Sequence, residues 1–479
     1  MTESVSTDAG AFAPAVQEHL FSDAPPEVGR ARPPASEGHA EPAIAILGLG
    51  YVGLPTALAA RAKGARTIGI DVSESRLRAI RENRVDLVDA DRALLERELA
   101  DEHFTLTASL SRLGEADAVL ICVPTPVDEH RNPDLHLVAA ACAEVVAHAR
   151  AGQTIILTST SYPGTTRDLL ADPLAARGFT VGEDVFVASS PERIDPGNVI
   201  PHADVPRVVG GVTQACTQAA VAVLRLLTDH VVPMTSPEAA EMTKLLENSF
   251  RAVNIAFANE IADVCTSLGI DAREIIDAAA TKPYGFMPFY PGTGVGGHCI
   301  PCDPHYLLWE LRSRHAGAPL LTAAMQAIAD RPFAIVEQVV RELSFAGRGI
   351  AGARVLVVGV AYKPGVEDVR ESPALEILGE LLERGARVDF FDPHIPRINI
   401  DQQQILLSVT SPEPRAYDAI VVNTIHPRID YGWLHDARLV IDPSGRFQSH
   451  PERHASNAEE VVQPERRIAE RRAAFRVGR

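Results

Sequence analysis

Short apolar runs separated by polar turns dominate the first half of the chain. Residues 43–47 read Ala-Ile-Ala-Ile-Leu, a pattern typical of a strand that is buried on both faces. A glycine-rich turn and an alanine-rich helical stretch at 55–63 follow, and a second apolar run at 66–70 ends in Asp71. Further strands are predicted at 117–123, 154–159 and 185–188, and a further helix at 135–150. This alternation predicts a doubly wound parallel sheet.

A different pattern occupies the middle of the chain. Between residues 237 and 268, apolar residues recur every three or four positions, which predicts one long helix. Two more helices are predicted at 272–280 and 320–343. Short apolar runs then return, with strands predicted at 353–359, 387–391, 418–422 and 439–441 and a helix at 374–384. The predicted fold class is α/β: two Rossmann-like, doubly wound parallel-sheet domains joined by a central all-helical domain with a long helix.

Composition narrows the classes of function. The chain has 479 residues, 46% of them apolar, and a formal net charge of −18. No apolar run approaches the ~20 residues of a membrane span, and a nucleic-acid or anionic-membrane partner would call for basic patches. Residues 1–40 are expected to be a disordered tail, without the basic start and apolar core of a secretory signal. Six cysteines in so long a chain are no disulfide framework, so we expect reduced thiols and a cytoplasmic location.

The turn after the first predicted strand reads G-L-G-Y-V-G over residues 48–53. Glycines at these spacings permit a tight turn, close approach of a pyrophosphate and packing of the next helix, and an acid about 20 residues later binds ribose hydroxyls. Asp71 stands at that place and would repel a 2′-phosphate. The pattern therefore predicts NAD rather than NADP. The turn after residue 359 lacks the full pattern, so no second dinucleotide is predicted.

Polar residues follow three other predicted strands, and ligands of such sheets bind beyond the carboxyl ends of the strands. Pro124 and Thr125 follow one strand, and Thr160 follows the next. Glu192 follows a third strand and is a candidate general base or water-positioning group. An exposed glutamate in a turn would give the same pattern, so both interpretations stay open.

The stretch 290–304 reads Y-P-G-T-G-V-G-G-H-C-I-P-C-D-P, with four glycines within six residues before Cys299. Such a segment forms no stable helix or strand, because each glycine loses much backbone entropy on ordering and adds no packing. Bare backbone can approach a polar ligand closely while the Cys299 thiol serves as a nucleophile. A flexible linker with a passing cysteine is the alternative.

Two groups of charged residues accompany this stretch. Lys244, Asn248 and Arg251 share one face of the long predicted helix, which is either part of the site or a solvated charged face. Lys363 and Arg370 precede a predicted helix in the last part of the chain. They form either a phosphate site or a structural ion pair.

With these residues, the chain resembles the UDP-glucose/GDP-mannose dehydrogenase family. The segments E-M-T-K-L-L-E-N at 241–248 and G-G-H-C-I-P-x-D-P at 296–304 carry the resemblance, which extends over about residues 43–450. The segments 190–198 and 278–286 resemble the branch of the family that acts on UDP-N-acetylglucosamine. The resemblance implies an NAD-dependent enzyme that oxidises the C6 hydroxyl of this UDP-sugar to a carboxylate, with UDP-glucose or UDP-N-acetylmannosamine as alternatives.

The resemblance also implies functions for the segments. It predicts a disordered tail at 1–40, an NAD-binding domain at 41–233, a helical dimerisation and catalytic domain at 234–343, a UDP-sugar-binding domain at 344–450, and a C-terminal tail at 451–479. The long helix would pair two subunits in a homodimer or higher homo-oligomer.

The family pattern carries over to individual residues of this chain. It implies that Cys299 attacks the intermediate aldehyde, that the thiohemiacetal is oxidised to a thioester, and that water then opens the thioester. The implied catalytic residues are Cys299, Lys244, Asp303, Glu192, Asn248 and Thr160. The implied cofactor-binding residues are Gly48, Gly50, Tyr51, Val52, Gly53, Asp71, Arg76, Pro124, Thr125 and Thr160. The implied substrate-binding residues are Glu192, Arg193, Lys244, Asn248, Arg251, Tyr290, Gly292, Gly296, Lys363 and Arg370.

Two rival functions follow from the same residues. A non-catalytic protein that senses a dinucleotide or a nucleotide sugar could use the same fold, but it would not need the Cys299 nucleophile. A one-step alcohol dehydrogenase would not need Cys299 either.

Cys302 departs from the family pattern and forms the sequence C-I-P-C with Cys299. One hypothesis is a regulatory disulfide between the two thiols, and the other is a small residue that fills space. No second C-x-x-C or pair of histidines accompanies it, so no metal site is predicted.

Overall fold

The computed structural model describes residues 42–447 except 86, 88, 129, 194–203, 298 and 401–403. Its larger sheet has eight strands in the order β3-β2-β1-β4-β5-β6-β7-β8. These strands are β1 Ala43–Leu47, β2 Arg66–Ile70, β3 Phe104–Thr107, β4 Ala118–Ile121, β5 Thr154–Leu157, β6 Phe186–Ser189, β7 Arg207–Gly211 and β8 Val231–Met234. Neighbouring strands run parallel except for β6 and β7, which pair antiparallel.

Apolar side chains fill both faces of this sheet. In β1, Ile44 and Ile46 belong to one buried cluster, and Ala45 and Leu47 belong to a cluster on the other face. Helices cover both faces, which is why the strands are continuous apolar runs. These helices are α1 Gly53–Ala62, α2 Glu74–Arg81, α3 Asp89–Glu98, α4 His136–His148, α5 Asp172–Ala176 and α6 Gln214–Leu224.

Four helices follow the first sheet: α7 Pro237–Leu268, α8 Ala272–Ala280, α9 Asp303–Ser313 and α10 Pro319–Phe345. The 32-residue helix α7 begins after Ser236, whose side chain accepts a hydrogen bond from the Ala239 amide, and ends at Gly269, which has a φ of 71°. Only part of its predicted apolar stripe faces the core of the chain: Leu245 is fully buried and Val253 packs against a buried cluster. Large side chains on it are 45–66% exposed, namely Leu246, Phe250, Phe257, Val264 and Leu268.

The inward face of α7 carries small and polar residues instead. Glu241, Lys244, Asn248 and Asn259 are all at most 7% exposed. Alanines between them allow close packing against α9 and α10. The long helix was therefore predicted in the right place, but the orientation of its polar and apolar faces is the reverse of an ordinary surface helix.

A smaller parallel sheet has the strand order β10-β9-β13-β14. Its strands are β9 Arg354–Val358, β10 Arg387–Phe391, β13 Ala419–Val422 and β14 Val440–Ile441, with helix α11 Pro373–Glu383 and an antiparallel hairpin of β11 Arg397–Asn399 and β12 Ile405–Leu407. The predicted fold class is thus confirmed: two mainly parallel sheets with a helical segment between them. Within the part of the chain that the structure describes, none of the helices combines the length and apolar character that crossing a membrane requires.

Candidate active site

The first glycine turn is built as the fingerprint requires. Gly48 has a φ of +90°, and a Cβ on Gly53 would lie 1.8 Å from the carbonyl oxygen of Gly48. Asp71 turns back towards this loop and accepts a hydrogen bond from the amide of Leu49 at 2.9 Å. In contrast, a Cβ on Gly50 would meet no atom of the described residues within 4 Å other than those of Gly50 and its two chain neighbours. Gly50 therefore has no internal packing reason to be glycine, which fits close approach of a ligand.

Three other predicted cofactor residues surround the turn. The Arg76 Nε donates to the carbonyl of Leu49 at 2.9 Å, and Val52 is the N-terminal capping residue of α1. The ring of Tyr51 is 43% exposed and lies 4.8 Å from the guanidinium carbon of Arg370. The structure thus brings together one residue predicted for the cofactor and one predicted for the substrate.

The strand-end residues lie at the carboxyl edge of the larger sheet. Pro124 and Thr125 follow β4, and Thr160 follows β5 and is half-buried. The carbonyl of Pro126, the residue after Thr125, accepts a hydrogen bond from the Tyr306 hydroxyl at 3.2 Å. Tyr306 belongs to α9, so this edge of the sheet contacts the helix that begins just after the cysteine loop.

Lys244, Asn248 and Asp303 form one buried cluster. Their exposed fractions are 7%, 7% and 4%, and the side-chain amide of Asn248 donates to the Asp303 carboxylate. Burial raises the pKa of Asp303 to about 6, although the Lys244 charge and the Asn248 hydrogen bond oppose that shift. The Lys244 and Asn248 side chains of α7 are therefore buried and not part of a solvated surface, whereas Arg251 of the same predicted face is exposed.

Cys299 lies beside this cluster. The backbone amide of Asp303 donates to the carbonyl of Cys299 at 2.8 Å, which forms the turn that starts α9. The Cys299 residue is partly exposed, whereas Cys302 is 3% exposed and burial raises its pKa to about 12. None of the six cysteines forms a disulfide. The regulatory disulfide stays a hypothesis, and it would require the deeply buried Cys302 thiol to react.

The Glu192 carboxylate is hydrogen-bonded to other residues of the chain. Its Oε2 accepts from Arg207 Nη2 at 2.7 Å, with both side chains at most 6% exposed, and its Oε1 accepts from the amide of Arg193 at 2.8 Å. The Arg193 side chain in turn forms an ion pair with Glu247 and donates to the Pro206 carbonyl at 2.9 Å. Neither Glu192 nor Arg193 is an exposed turn residue.

The described residues of the glycine-rich segment pack closely against other parts of the chain. The amide of Gly297 donates to the Arg370 carbonyl at 3.0 Å. A Cβ on Gly296 would lie 2.6 Å from both Tyr362 Cβ and the Glu371 carbonyl oxygen, so this glycine is required by packing within the chain. Sequence reasoning explained these glycines by a ligand, and for Gly296 the structure supplies a different cause.

The remaining predicted substrate residues lie in different surroundings. The Tyr290 hydroxyl donates to Asp277 at 2.7 Å. Arg251 is exposed on α7, and Lys363 is half-buried. The Arg370 guanidinium forms three hydrogen bonds of 2.6–3.0 Å with Asp368, which gives it an ion pair in addition to its contact with Tyr51. His298 and residues 194–198 lie outside the described residues.

Four residues were missed by sequence reasoning. Glu241 accepts from the amides of Gly164 and Thr166 at 2.6 and 3.0 Å, and burial raises its pKa to about 7 despite these bonds. The other three are Arg207, Asn259 and Arg331. The sequence pattern could have indicated only Glu241 and Asn259, since these two residues of α7 continue the helical face of Lys244 and Asn248.

Among the described residues, no three His, Cys, Asp or Glu side chains are grouped so that they could hold a metal ion.

Comparisons with known proteins agree with this geometry. Models of the UDP-glucose/GDP-mannose dehydrogenase family match the chain in three parts: the NAD binding domain at residues 42–228, the central domain at 238–328 and the UDP binding domain at 356–448.

Two relatives and one solved structure are similar along most of the chain. The UDP-N-acetyl-D-mannosamine dehydrogenase of Campylobacter jejuni is 32% identical over 370 residues, which cover 75% of this chain and 88% of the relative. The UDP-N-acetyl-D-glucosamine 6-dehydrogenase of Pseudomonas aeruginosa is 32% identical over 386 residues, which cover 80% and 90%. A structure of the UDP-D-ManNAc dehydrogenase from Pyrococcus horikoshii has a TM-score of 0.78 and 29% identity, and covers 85% of this chain and 97% of that one. These matches confirm the predicted family and the predicted NAD cofactor: the chain belongs to the UDP-glucose/GDP-mannose dehydrogenase family and is an NAD-dependent nucleotide-sugar dehydrogenase.

Proposed function

We propose that this protein oxidises the C6 hydroxymethyl group of UDP-N-acetylglucosamine to a carboxylate by two successive two-electron steps. The observation that carries the proposal is the buried cluster of Lys244, Asn248 and Asp303 directly beside Cys299. A cysteine whose backbone carbonyl accepts from the Asp303 amide, beside a buried cation and a buried acid, suits chemistry at a carbonyl carbon.

The glycine turn is proposed to hold NAD, because the open space at Gly50 fits a pyrophosphate and the partly exposed Asp71 fits a ribose. When bound, NAD supplies the hydride acceptor for both oxidation steps. The proposed contacts are Gly48, Gly50, Tyr51, Val52, Gly53, Asp71, Arg76, Pro124, Thr125 and Thr160.

Cys299 is proposed to keep the aldehyde from leaving or hydrating between the two steps. Its Sγ adds to the aldehyde carbon, a C–S bond forms, and the thiol proton goes to the carbonyl oxygen. Loss of a hydride and a proton from this thiohemiacetal leaves a thioester on Cys299. Water then adds to the thioester carbonyl, the C–S bond breaks, and the carboxylate and the thiol are released.

Lys244 and Asn248 are proposed to stabilise the negative oxygen that develops at each of these steps. Such a charge in a closed site typically contributes ~10²-fold or more in rate. Asp303, with a pKa of about 6, is ionised at neutral pH and can take a proton from the attacking water. Glu192 and Thr160 are proposed to orient that water near the thioester.

Substrate contacts are proposed from the glycine segment and from basic residues around it. The nucleotide sugar would bind Arg193, Arg251, Tyr290, Gly292, Gly296, Lys363 and Arg370, in addition to the catalytic residues. For Arg193 and Arg370 this requires the substrate to share guanidinium groups that are already paired with Glu247 and Asp368.

The exposed apolar face of α7 supports a further part of the proposal, a homodimer. Five large side chains at 45–66% exposure form a continuous stripe along one helix, and such stripes mark protein interfaces. A Phe250→Glu and Phe257→Glu double variant should sediment as a monomer, and unchanged sedimentation would contradict this interface.

UDP-N-acetylmannosamine is the second candidate substrate, because relatives with this activity in their names are as similar as the relative named for UDP-N-acetylglucosamine. The test supplies excess NAD and a limiting amount of UDP-N-acetylglucosamine, UDP-N-acetylmannosamine or UDP-glucose in separate cuvettes, and counts the NADH formed per sugar. We expect two NADH per UDP-N-acetylglucosamine and slow reaction with the others.

Other outcomes are equally informative. Two NADH per molecule of another sugar would keep the mechanism and change the substrate. One NADH per sugar would mean that the reaction stops at the aldehyde and that the proposed role of Cys299 is wrong. No reaction with any sugar would favour a protein that senses nucleotides. The Cys299→Ala variant should form no acid, whereas a one-step enzyme would tolerate the change.

A further inference from the structure

Gly292 is the first glycine of residues 290–304, the glycine-rich stretch that contains Cys299 and is called the cysteine segment below. Both its backbone amide and its backbone carbonyl are hydrogen-bonded. Its amide donates to Oδ1 of Asn259 on α7 at 2.9 Å, and its carbonyl accepts from Nε of Arg331 on α10 at 3.0 Å. Asn259 is 5% exposed and Arg331 is 6% exposed. Neither side chain belongs to the catalytic cluster, and both come from helices that pack against each other.

Arg331 is itself oriented by a second contact. Its Nη1 lies 2.8 Å from both carboxylate oxygens of Asp263, which is one helical turn beyond Asn259 on α7. The guanidinium is buried, whereas the Asp263 side chain is 64% exposed, so this ion pair orients the guanidinium more than it stabilises the fold. The planar group is therefore held in one orientation, with Nε directed at Gly292.

The opposite end of the segment is held by another part of the chain. The Gly297 amide donates to the Arg370 carbonyl at 3.0 Å, and Cys299 follows two residues later. Between the two ends, a Cβ on Gly294 would lie 2.8 Å from Pro373. Packing therefore holds the middle of the segment, and the hydrogen bonds of Gly292 and Gly297 hold its two ends.

We propose that Asn259 and Arg331 are positioning residues that place the cysteine segment, and through it Cys299, for capture of the aldehyde. This inference rests on the proposed two-step oxidation. A misplacement of about 1 Å can cost ~100-fold in a step that depends on alignment. The first oxidation, which needs no thiol, should continue, while the aldehyde escapes before Cys299 adds to it.

The experiment uses full-length Asn259→Leu, Asn259→Asp, Arg331→Lys and wild-type protein. Leucine removes the acceptor for Gly292, whereas aspartate keeps an oxygen in the same place. Lysine keeps the positive charge for Asp263 but loses the planar fork. The matched control is Asp330→Asn, which changes an exposed residue of α10 whose bond to Gln326 lies away from the segment.

Each protein receives excess NAD, limiting nucleotide sugar and hydroxylamine, which traps free aldehyde as an oxime. For Asn259→Leu we expect acid formation to fall about 10-fold, fewer than two NADH per sugar, oxime in the product, and a KM for NAD within about twofold of wild type. Arg331→Lys should show the same change to a smaller extent. Asn259→Asp should recover most of the acid formation, and Asp330→Asn should equal wild type.

Two results would overturn the inference. The first is two NADH per sugar without oxime in both Asn259→Leu and Arg331→Lys. The second is a loss of stability and of NAD affinity in parallel with activity, without oxime, which a purely structural role predicts. The wild-type control separates this inference from the proposed function, because a wild-type protein that does not form two NADH per sugar contradicts the function and not only the role of Asn259 and Arg331.

Discussion

The two sheets carry the same turn at the same place, and only one of them fits a dinucleotide. Gly48 follows β1 with a φ of +90°, and Asp71 directly follows β2. In the second sheet, Gly359 follows β9 with a φ of +75°, and Asp392 directly follows β10. Each glycine amide donates to the last residue of the neighbouring strand, at 2.8 Å in the first sheet and 2.7 Å in the second.

The two carboxylates, Asp71 and Asp392, differ in their exposure and in the number of hydrogen bonds that they accept from the chain. Asp71 is partly exposed and accepts from the amides of Leu49 and Ser73, both at 2.9 Å. Asp392 is 3% exposed and accepts hydrogen bonds of 2.8–3.2 Å from the amides of Val360, Ala361, His394 and Ile395 and from His426 Nε2. A glycine turn followed by an acid thus makes a ribose site only if the chain leaves the carboxylate accessible.

His426 contacts both Gly365 and Asp392 near the glycine turn of the second sheet. Its Nδ1 accepts from the amide of Gly365 at 3.1 Å, so the proton is on Nε2, which donates to Asp392 at 3.2 Å. Burial by itself would raise the pKa of Asp392, but the hydrogen bonds from His426 and the backbone amides lower it to about 2. The acid therefore stabilises the fold instead of binding a ligand.

Exchange of each acid for its amide should separate these roles. Asp392→Asn places an NH2 group against backbone donors, and we expect the free energy of unfolding to fall by about 3 kcal/mol or more. Asp71→Asn should cost less than about 1 kcal/mol, because water can reach that position. Urea unfolding followed by circular dichroism measures both, and equal losses would contradict the distinction.

A pH titration of stability sharpens the same comparison. A carboxylate with a pKa of about 2 in the fold and ~3.9 in the unfolded chain adds stability above pH 4, which is lost as the pH falls towards 2. This contribution is about 3 kcal/mol. The difference in free energy of unfolding between wild type and Asp392→Asn should therefore narrow between pH 5 and pH 2, and a constant difference would exclude an ionised Asp392.

Cofactor use should respond to the first acid alone. Asp71→Asn removes the charge proposed to bind the ribose and to repel a 2′-phosphate, so we expect KM for NAD to rise about 10-fold and the preference over NADP to weaken. Steady-state kinetics with each dinucleotide measures the change. Asp392→Asn, assayed at a temperature where it is folded, is the matched control and should keep the wild-type preference.

The smallest effect is expected from an added methyl group at Gly50. Beyond the two neighbouring residues, no described atom lies within 4 Å of the new Cβ, so the stability of Gly50→Ala should stay within about 0.5 kcal/mol of wild type while NAD binding weakens. At Gly359 the same group would lie 1.9 Å from the Thr424 carbonyl, and the variant should be much less stable. Thermal unfolding with and without NAD distinguishes the two.

The fold was predictable where side-chain patterns are local. The buried strands of both parallel sheets are continuous apolar runs, and α7 has a long helical period. The sequence reasoning missed β7 and β8, since β7 begins with Arg207, β8 contains Pro233, and the antiparallel pairing with β6 has no local signal. Helix α9 was also missed, because its first residues were interpreted only as part of the cysteine motif.

The residues of the candidate site were predicted from motifs, whereas the contacts that support them were not. Cys299, Lys244, Asn248 and Asp303 stand in recognisable motifs, and the structure brings them together. The supports depend on long-range pairs, such as Glu241 with Gly164, which is 77 residues away. Long-range contacts of this kind follow from the packing of elements and leave no pattern in either segment alone.

Helix α7 has a consequence for how this sequence can change. It holds the loop after β5 through Glu241, the start of α9 through Asn248, and the cysteine segment through Asn259. An insertion of a single residue between Asn248 and Asn259 would rotate everything beyond it by about 100°, so the helix could no longer keep these contacts on one side. We therefore expect insertions and deletions within α7 to abolish activity.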